Sequence, residues 1–345
     1  MRSNIGPLPQ RFRKAALSAV LVLSALAAPA ARAEPPVLGL PVACALGETC
    51  WLVNFVDRDP GPAARDYRCG GLSYDTHKGT DFAIRSDAAM RAGVDVLAAA
   101  PGTVRAVRDG MPDSSRSDLE SGTVRGRECG NGVYIDHADG WSTQYCHMQA
   151  GSVRVRAGDT VARGQVIGRI GRSGRSEFPH IHMTLRDGAR VVDPFTGDSA
   201  IAACDAGAGA VPAGGLWDPA LTAQLAYPGP QPFHTGFATG RPKKADIEAG
   251  RLSETAFPPD TAALVFWAEA FSLEKGDRIH IMLTAPGGGL VAENRVTLDR
   301  PLAKGHWYAG RKKRGAAWAT GSYTGRIAIT RGGETVERSA VATVE

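Results

Sequence analysis

The chain has 345 residues, room for two domains of ordinary size, and 43% of them are hydrophobic, enough to bury a core. Its 42 glycines and 22 prolines disfavour a helical bundle and point to a loop-rich, all-β fold. The formal charge is +5, but Arg2, Arg11, Arg13, Lys14 and Arg32 fall in a leader with no acidic residue; beyond it 35 basic residues face 35 acidic ones, which excludes a nucleic-acid binder held by bulk charge.

That leader, 1–33, reads as a secretory signal. Arg11, Arg13 and Lys14 make a basic start, and Ala15 to Ala28 is an apolar run too short to span a bilayer comfortably. Ala31-Arg32-Ala33 then supplies a small-x-small cleavage pattern. An uncleaved anchor is the rival reading. No later stretch is long and apolar enough for a membrane span, so the expected location is periplasmic or secreted, with no stable membrane insertion after cleavage.

The six cysteines, Cys44, Cys50, Cys69, Cys129, Cys146 and Cys204, are even in number and follow an export signal, which predicts disulfides. Fifteen pairings exist for six cysteines. The preferred set is Cys44–Cys50 as a local loop, Cys129–Cys146 across a hairpin, and Cys69–Cys204. A cysteine zinc site is disfavoured because no Cys-x-x-Cys occurs.

In chain order, Trp51–Val56 predicts a strand and Asp57–Pro62 a turn-rich loop. A strand begins after His77-Lys78-Gly79-Thr80-Asp81, where Gly79 is expected to let the backbone turn tightly. Val94–Val107 reads as two strands about Pro101-Gly102. The polar stretch 108–128 reads as an exposed insertion, a candidate wall of a groove. Gly132–His137 and Trp141–His147 alternate around Ala138-Asp139-Gly140, the clearest hairpin in the chain. Strands are expected within Val153–Val161 and Gly164–Gly168, then His180–Leu185 and Val191–Phe195.

Residues 205–232 are rich in Ala, Gly and Pro and read as a linker, either pinned through Trp217 and Tyr227 or a disordered spacer. Residues 233–345 predict a β-sandwich of immunoglobulin-like type, with strands near 263–268, 278–283, 325–329 and 338–344. The expected layout is therefore a domain over 34–204 with its core at about 71–195, the linker, and the sandwich.

His180-Ile181-His182 in a strand puts two imidazoles on one face. Alone this is a weak signal; it gains weight from His77-Lys78-Gly79-Thr80-Asp81 and Tyr145-Cys146-His147 upstream. His77, Asp81 and His182 together make a three-ligand set that leaves one position open, the pattern of a catalytic rather than a structural zinc. His147 and His180 then remain nearby to move a proton or stabilise charge on an attacked carbonyl.

With His-x-x-x-Asp, Tyr-x-His-Met and His-x-His in this order, the stretch from Gly71 to Phe195 resembles the lysostaphin-type zinc metallopeptidases, including LytM-like peptidoglycan endopeptidases. The resemblance implies an antiparallel sheet crossed by a groove. It also implies one Zn2+ per chain held by His77, Asp81 and His182, with His147 and His180 as the catalytic pair. The activity it implies is hydrolysis of peptide cross-links in peptidoglycan by attack of zinc-bound water. Three features depart from the pattern: the 108–128 insertion, Cys129 with Cys146, and the lack of a secure substrate-positioning tyrosine, for which Tyr74 is a loose candidate. A catalytically silent cell-wall-binding or regulatory protein that keeps the fold is the alternative, and a protein partner is a candidate role for the C-terminal domain.

Other readings are weaker. The glycine-bounded strands near Pro101 and Gly158–Gly168 also resemble a biotinyl or lipoyl carrier, but no suitably placed lysine exists. His137, His234, His280 and His306 read as structural or surface residues, and Arg311-Lys312-Lys313-Arg314 as a solvated basic run. No nucleophile elbow supports a serine or cysteine hydrolase.

Overall fold

A computed structural model describes Met1 and residues 34–114, 116–198 and 215–345. The expected signal beyond Met1, Cys204 and residues 205–214 of the expected linker lie outside the described residues.

The N-terminal half is built from β1 (Cys50–Asn54), β2 (Thr80–Ile84), β3 (Asp95–Leu97), β4 (Gly102–Arg108), β5 (Asn131–Asp136), β6 (Trp141–Met148), β7 (Thr160–Val161), β8 (Val166–Arg169), β9 (His180–Asp187) and β10 (Arg190–Val192). Two short helices, α1 (Asp87–Ala92) and α2 (Arg116–Ser121), lie between them. Eight strands form one antiparallel sheet in the order β1-β2-β9-β6-β5-β4-β7, with β10 on β9, while β3 and β8 make a separate ribbon. The β5–β6 hairpin closes through Ala138–Gly140, where Asp139 and Gly140 take positive φ of 59° and 83°.

Strand alternation sorts the middle of this sheet. Phe82 pairs with Ile181 and Tyr145 with Met183, and all four are fully buried on one face. Asp81 and Cys146 both lie opposite His182, so they share the other face with it and with His180.

Two local expectations change. The strand expected over Val153–Val161 shrinks to Thr160–Val161. The Asp159 carboxylate accepts from the Arg156 amide at 2.8 Å, and Gly158 has φ 93°, so the segment closes as a turn instead. The 108–128 stretch is not wholly exposed: it contains α2, and buried Ser114 donates through Oγ to the Gly174 carbonyl at 2.7 Å. A six-residue helix is too short to show an apolar period, which is why the sequence hid it.

The C-terminal half contains β11 (Gln231–Ala238), α3 (Lys244–Glu248), β12 (Ala256–Phe257), β13 (Ala263–Leu273), β14 (Arg278–Thr284), β15 (Leu290–Thr297), β16 (Leu302–Lys312), β17 (Gly321–Arg331) and β18 (Glu334–Val344). A three-stranded sheet, β11-β13-β16, and a five-stranded sheet, β12-β18-β17-β14-β15, share one core that includes Phe237, Phe266, Ile281, Trp307, Tyr323 and Ile327. Every pair is antiparallel except β12 with β18.

All eleven residues of β13 are buried, which explains its nearly continuous apolar sequence. One face looks into the sandwich. On the other, Trp267 packs with Ile247 of α3, and Phe271 joins Trp51, Ala83, Phe178 and Phe233. Phe233 and Phe271 stack with centroids 4.0 Å apart, and Trp51 lies 4.9 Å from Phe233. Such aromatic pairs contribute about 0.5–1.5 kcal/mol each beyond area burial. Gln231 Nε2 and Ser272 Oγ both donate to the Leu52 carbonyl, at 3.0 and 2.9 Å, tying the second sheet system to β1.

Within the described part of the stretch before Pro232, Trp217 is buried and bridges Leu38, and Tyr227 stacks on Phe55 at 5.5 Å while its hydroxyl donates to Asp66 Oδ2 at 2.6 Å. Cys44–Cys50 and Cys129–Cys146 are disulfides, as expected. The pairing expected for Cys69 falls on Cys204, outside the described residues. Among the described residues, no helix is long and apolar enough to cross a membrane.

Candidate active site

The sheet brings His77, Asp81, His147, His180 and His182 together. His77 sits in the turn before β2, Asp81 in β2, His180 and His182 in β9, and His147 near the end of β6. His77, Asp81 and His182 each offer one ligand atom, and these atoms lie within 4.8 Å of one another. His77 Nε2 is 3.2 Å from Asp81 Oδ1 and 3.0 Å from His182 Nδ1, and His182 Nδ1 is 2.8 Å from Asp81 Oδ1.

The outward hydrogen bonds decide which atoms face the centre. His77 Nδ1 is 2.6 Å from the Phe55 carbonyl, which can only accept, so Nδ1 carries the proton and a neutral ring turns the Nε2 lone pair inward. His182 Nε2 is 3.0 Å from Thr184 Oγ1, and donation there leaves Nδ1 as the inward lone pair. Asn54 Nδ2 donates to Asp81 Oδ2 at 2.9 Å and aims the other carboxylate oxygen at the imidazoles.

Three acceptors, two buried and one partly buried, facing one another at 2.8–3.2 Å repel unless a cation or proton lies among them. Ligands about 2.0–2.2 Å from a tetrahedral zinc stand about 3.3–3.6 Å from each other, so a small relaxation admits the ion. Two imidazoles and a carboxylate are also a borderline-soft donor set suited to zinc. The residues present therefore fit the metal that the sequence suggested.

The electrostatics describe the proton-bridged alternative, in which a proton shared among these groups lets the imidazoles donate to Asp81. Burial alone would raise the Asp81 carboxyl, but His77 and His180 nearby, with hydrogen bonds from His182 and His77, hold it well below the usual range. Burial lowers His77, yet the Asp81 charge, its hydrogen bond and the Phe55 carbonyl outweigh this and raise it. Burial also lowers His182 against the pull of Asp81.

His147 and His180 flank this cluster with ring centroids 4.7 Å apart. His147 donates through Nδ1 to the Ser173 carbonyl at 2.8 Å, and His180 through Nδ1 to the Phe178 carbonyl at 2.9 Å, so in the neutral rings both Nε2 atoms are left as acceptors. Burial, then the neighbouring His180 and His182, push His147 well below its ordinary value, which keeps it a neutral base near pH 7.

Alternation along β6 would point His147 away from the face that Cys146 shares with His182. Its φ of 67° breaks the alternation and lets the ring come within 6.0 Å of His182. A left-handed histidine is costly, and such strain is characteristic of functional positions.

The chain bends at Gly79, as expected, and the glycine has a second role. Its φ is not in the left-handed region; instead an added Cβ would lie 2.5 Å from the Met183 carbonyl and 2.6 Å from His182 Nε2. The glycine lets β9 and the His182 ring approach.

Sequence reasoning misses Asn54 and Ser173. Asn54 leaves a faint signal, a lone amide within the apolar run Trp51–Val56, whereas the Ser173 contribution is a backbone carbonyl and leaves none. Tyr74, half exposed, lies 4.3 Å from the His77 ring, centroid to centroid. His137 is structural, with its nitrogens 2.8 Å from the Pro101 carbonyl and from Thr143 Oγ1, and His234 and His280 pair with Glu269 and Glu293.

Residues 75–194, which span all five site residues, match the model of peptidase family M23. That segment belongs to family M23. The DD-carboxypeptidase/endopeptidase Mpg of Neisseria meningitidis serogroup B is 36% identical over 109 residues, 31% of this chain and 22% of the relative. The peptidoglycan DD-endopeptidase ShyC of Vibrio cholerae is 33% identical over 90 residues, 26% of this chain and 18% of the relative. The chain thus spans about a fifth of the length of these curated relatives. Among solved structures, the catalytic domain of the prophage-encoded M23 protein EnpA from Enterococcus faecalis aligns at 27% identity and a TM-score of 0.31, covering 47% of this chain and 95% of that one. In the M23 segment the expected ligands and the expected catalytic pair thus share one face of the sheet, at adjoining positions.

Proposed function

We propose that the chain is a zinc-dependent endopeptidase that hydrolyses peptide cross-links of bacterial peptidoglycan in the periplasm or outside the cell. In this reading 1–33 exports the chain, 34–204 is the peptidase domain, 205–232 links it to the β-sandwich of 233–345, and His77, Asp81 and His182 hold one Zn2+. The observation that carries it is the convergence of His77 Nε2, Asp81 Oδ1 and His182 Nδ1, each turned inward by a bond on its far side.

Zinc bound there supplies Lewis acidity, which polarises a scissile carbonyl and makes water acidic near pH 7. The protein's own residues do the rest. His147, neutral and with Nδ1 engaged by Ser173, accepts a proton at Nε2. The same His147 Nε2 then returns that proton to the leaving amine. His180, held by Phe178 with its Nε2 3.7 Å from Asp81 Oδ1, stabilises developing charge when its Nε2 bears a proton. The pair needs no covalent intermediate with the protein. The substrate class is supported by the relative named a peptidoglycan DD-endopeptidase.

Digestion of purified peptidoglycan with and without chelator, with the products identified, tests the proposal. Release of cross-link fragments that chelator abolishes and zinc restores supports it. Binding without any product would favour the catalytically silent alternative.

A further inference from the structure

The loop of residues 171–179, between β8 and β9, provides both carbonyls that aim the histidine pair: Ser173 for His147 and Phe178 for His180. Ser176 joins the second bond: its Oγ donates to the Phe178 carbonyl at 2.7 Å and lies 3.1 Å from His180 Nδ1, where it can accept. Six glycine, serine and arginine residues in a row, Gly171–Ser176, give this loop little rigidity of its own. Its order comes from what it packs against, and part of that is the N-terminal half: Ser173 Oγ donates to the Met148 carbonyl at 2.6 Å and the Arg172 amide to Asp113 Oδ1 at 2.7 Å.

Two contacts reach it from the C-terminal half. Buried Arg172, next to Ser173, places Nη1 3.3 Å from both carboxylate oxygens of Asp87 and 3.9 Å from Glu248 Oε2. Glu248 is also buried, at the end of α3, and a charge ladder holds it in turn. Lys244 and Lys304 lie 3.6 and 4.0 Å from its Oε1, and Lys304 pairs with fully buried Glu269 at 2.8 Å. At the other end of the loop, the Phe178 ring sits 5.7 Å from Phe271 of β13 and 5.2 Å from the His180 ring. The loop is thus gripped at each end by a side chain about 70 to 90 residues downstream.

We propose that Glu248 and Phe271 are positioning residues for the site: they clamp the 171–179 loop, through Arg172 and Phe178, so that its carbonyls hold His147 and His180 in the productive tautomer and orientation. This rests on the hydrolytic reading above and gives the C-terminal sandwich a role in catalysis without substrate contact. The ion-pair ladder and the tilted Phe178–Phe271 ring contact restrain the loop from the C-terminal side, and proton transfer is sensitive to misplacement of the base by about 1 Å.

The test uses the full chain with Glu248→Gln, which keeps size and one hydrogen-bonding oxygen but removes the charge, and Phe271→Leu, which leaves every charge in place. Glu337→Gln, in an exposed ion pair with Arg326, serves as control. Two readouts are taken on folded, zinc-loaded protein: kcat and KM on cross-linked muropeptides, and amide hydrogen exchange across 171–180. The expected result is about tenfold faster exchange in the loop, kcat down about tenfold, KM within about twofold and zinc content unchanged, with the control like wild type. Wild-type exchange and kcat in both variants would overturn the clamp, and a raised KM with unchanged kcat would assign the sandwich to substrate binding instead. If the wild-type protein itself turns nothing over, the hydrolytic reading fails, and the exchange data alone still decide whether the clamp exists.

Discussion

Asn54 Nδ2 donates to Asp81 Oδ2 across 2.9 Å, and both groups are almost wholly buried. The bond leaves Oδ1 free to meet His77 and His182. Removing a partner that orients a metal ligand typically costs 10–100-fold in metal affinity. Asn54→Ala is therefore expected to weaken zinc binding by about that factor while His77, Asp81 and His182 all remain, as read by competition with a chromophoric chelator.

His147 holds a positive φ that glycine adopts freely and alanine does not. His147→Ala and His147→Gly both remove the imidazole and are both expected to lose nearly all turnover. Their stabilities should nevertheless differ: the glycine variant should unfold about 1 kcal/mol later than the alanine variant, because it relieves the strained backbone. Urea melts of the two, side by side, measure the difference.

Asp193 is fully buried, accepts from the Phe195 amide at 2.9 Å, and has no hydrogen-bond partner for Oδ2 among the described residues. Burial pushes its carboxyl up to about 7, with Asp66 and Asp198 adding to the rise and Arg58 opposing it. The native state then holds a proton that the unfolded chain releases near the ordinary carboxylate value. This group stabilises the fold fully below about pH 4, and the contribution falls by about 1.4 kcal/mol per pH unit until about pH 7, above which it is gone. Thermal melts from pH 4 to 8 should show wild type losing stability relative to Asp193→Asn across that window.

The Cys129–Cys146 disulfide closes 17 residues around the β5–β6 hairpin and ends one residue before His147. Replacing both cysteines by alanine is expected to cost about 2–4 kcal/mol in unfolding free energy. Denaturant titration with and without reductant checks this, since reductant should bring wild type toward the variant.

Much of the site is legible in the sequence because strand geometry converts spacing into position. His180 and His182 two apart, and Asp81 four after His77, put groups on one face once β2 pairs with β9. The M23 segment carries that pattern in short motifs, so residue type and spacing suffice to name five side chains. What stays hidden is carried by backbone atoms or by distant partners. Ser173 and Phe178 act through carbonyls, which leave no residue type to recognise. The left-handed turn at His147 depends on the hairpin register and its bulge near Asn131. Gly79 is visible as a glycine, but its purpose, room for the His182 ring, emerges only with the neighbouring strand in place. The Arg172–Glu248 contact joins residues 76 positions apart, one in the loop before β9 and one at the end of α3, and nothing local in either segment signals the other.

Metal analysis of the purified chain, paired with Asp81→Asn, tests the central claim most directly. The account predicts one zinc per wild-type chain, a loss of zinc by at least tenfold in the variant, and peptidoglycan cleavage that follows the metal. A wild-type chain that folds but takes up no zinc at micromolar concentration, or an Asp81→Asn variant that binds it as well as wild type, would contradict the account.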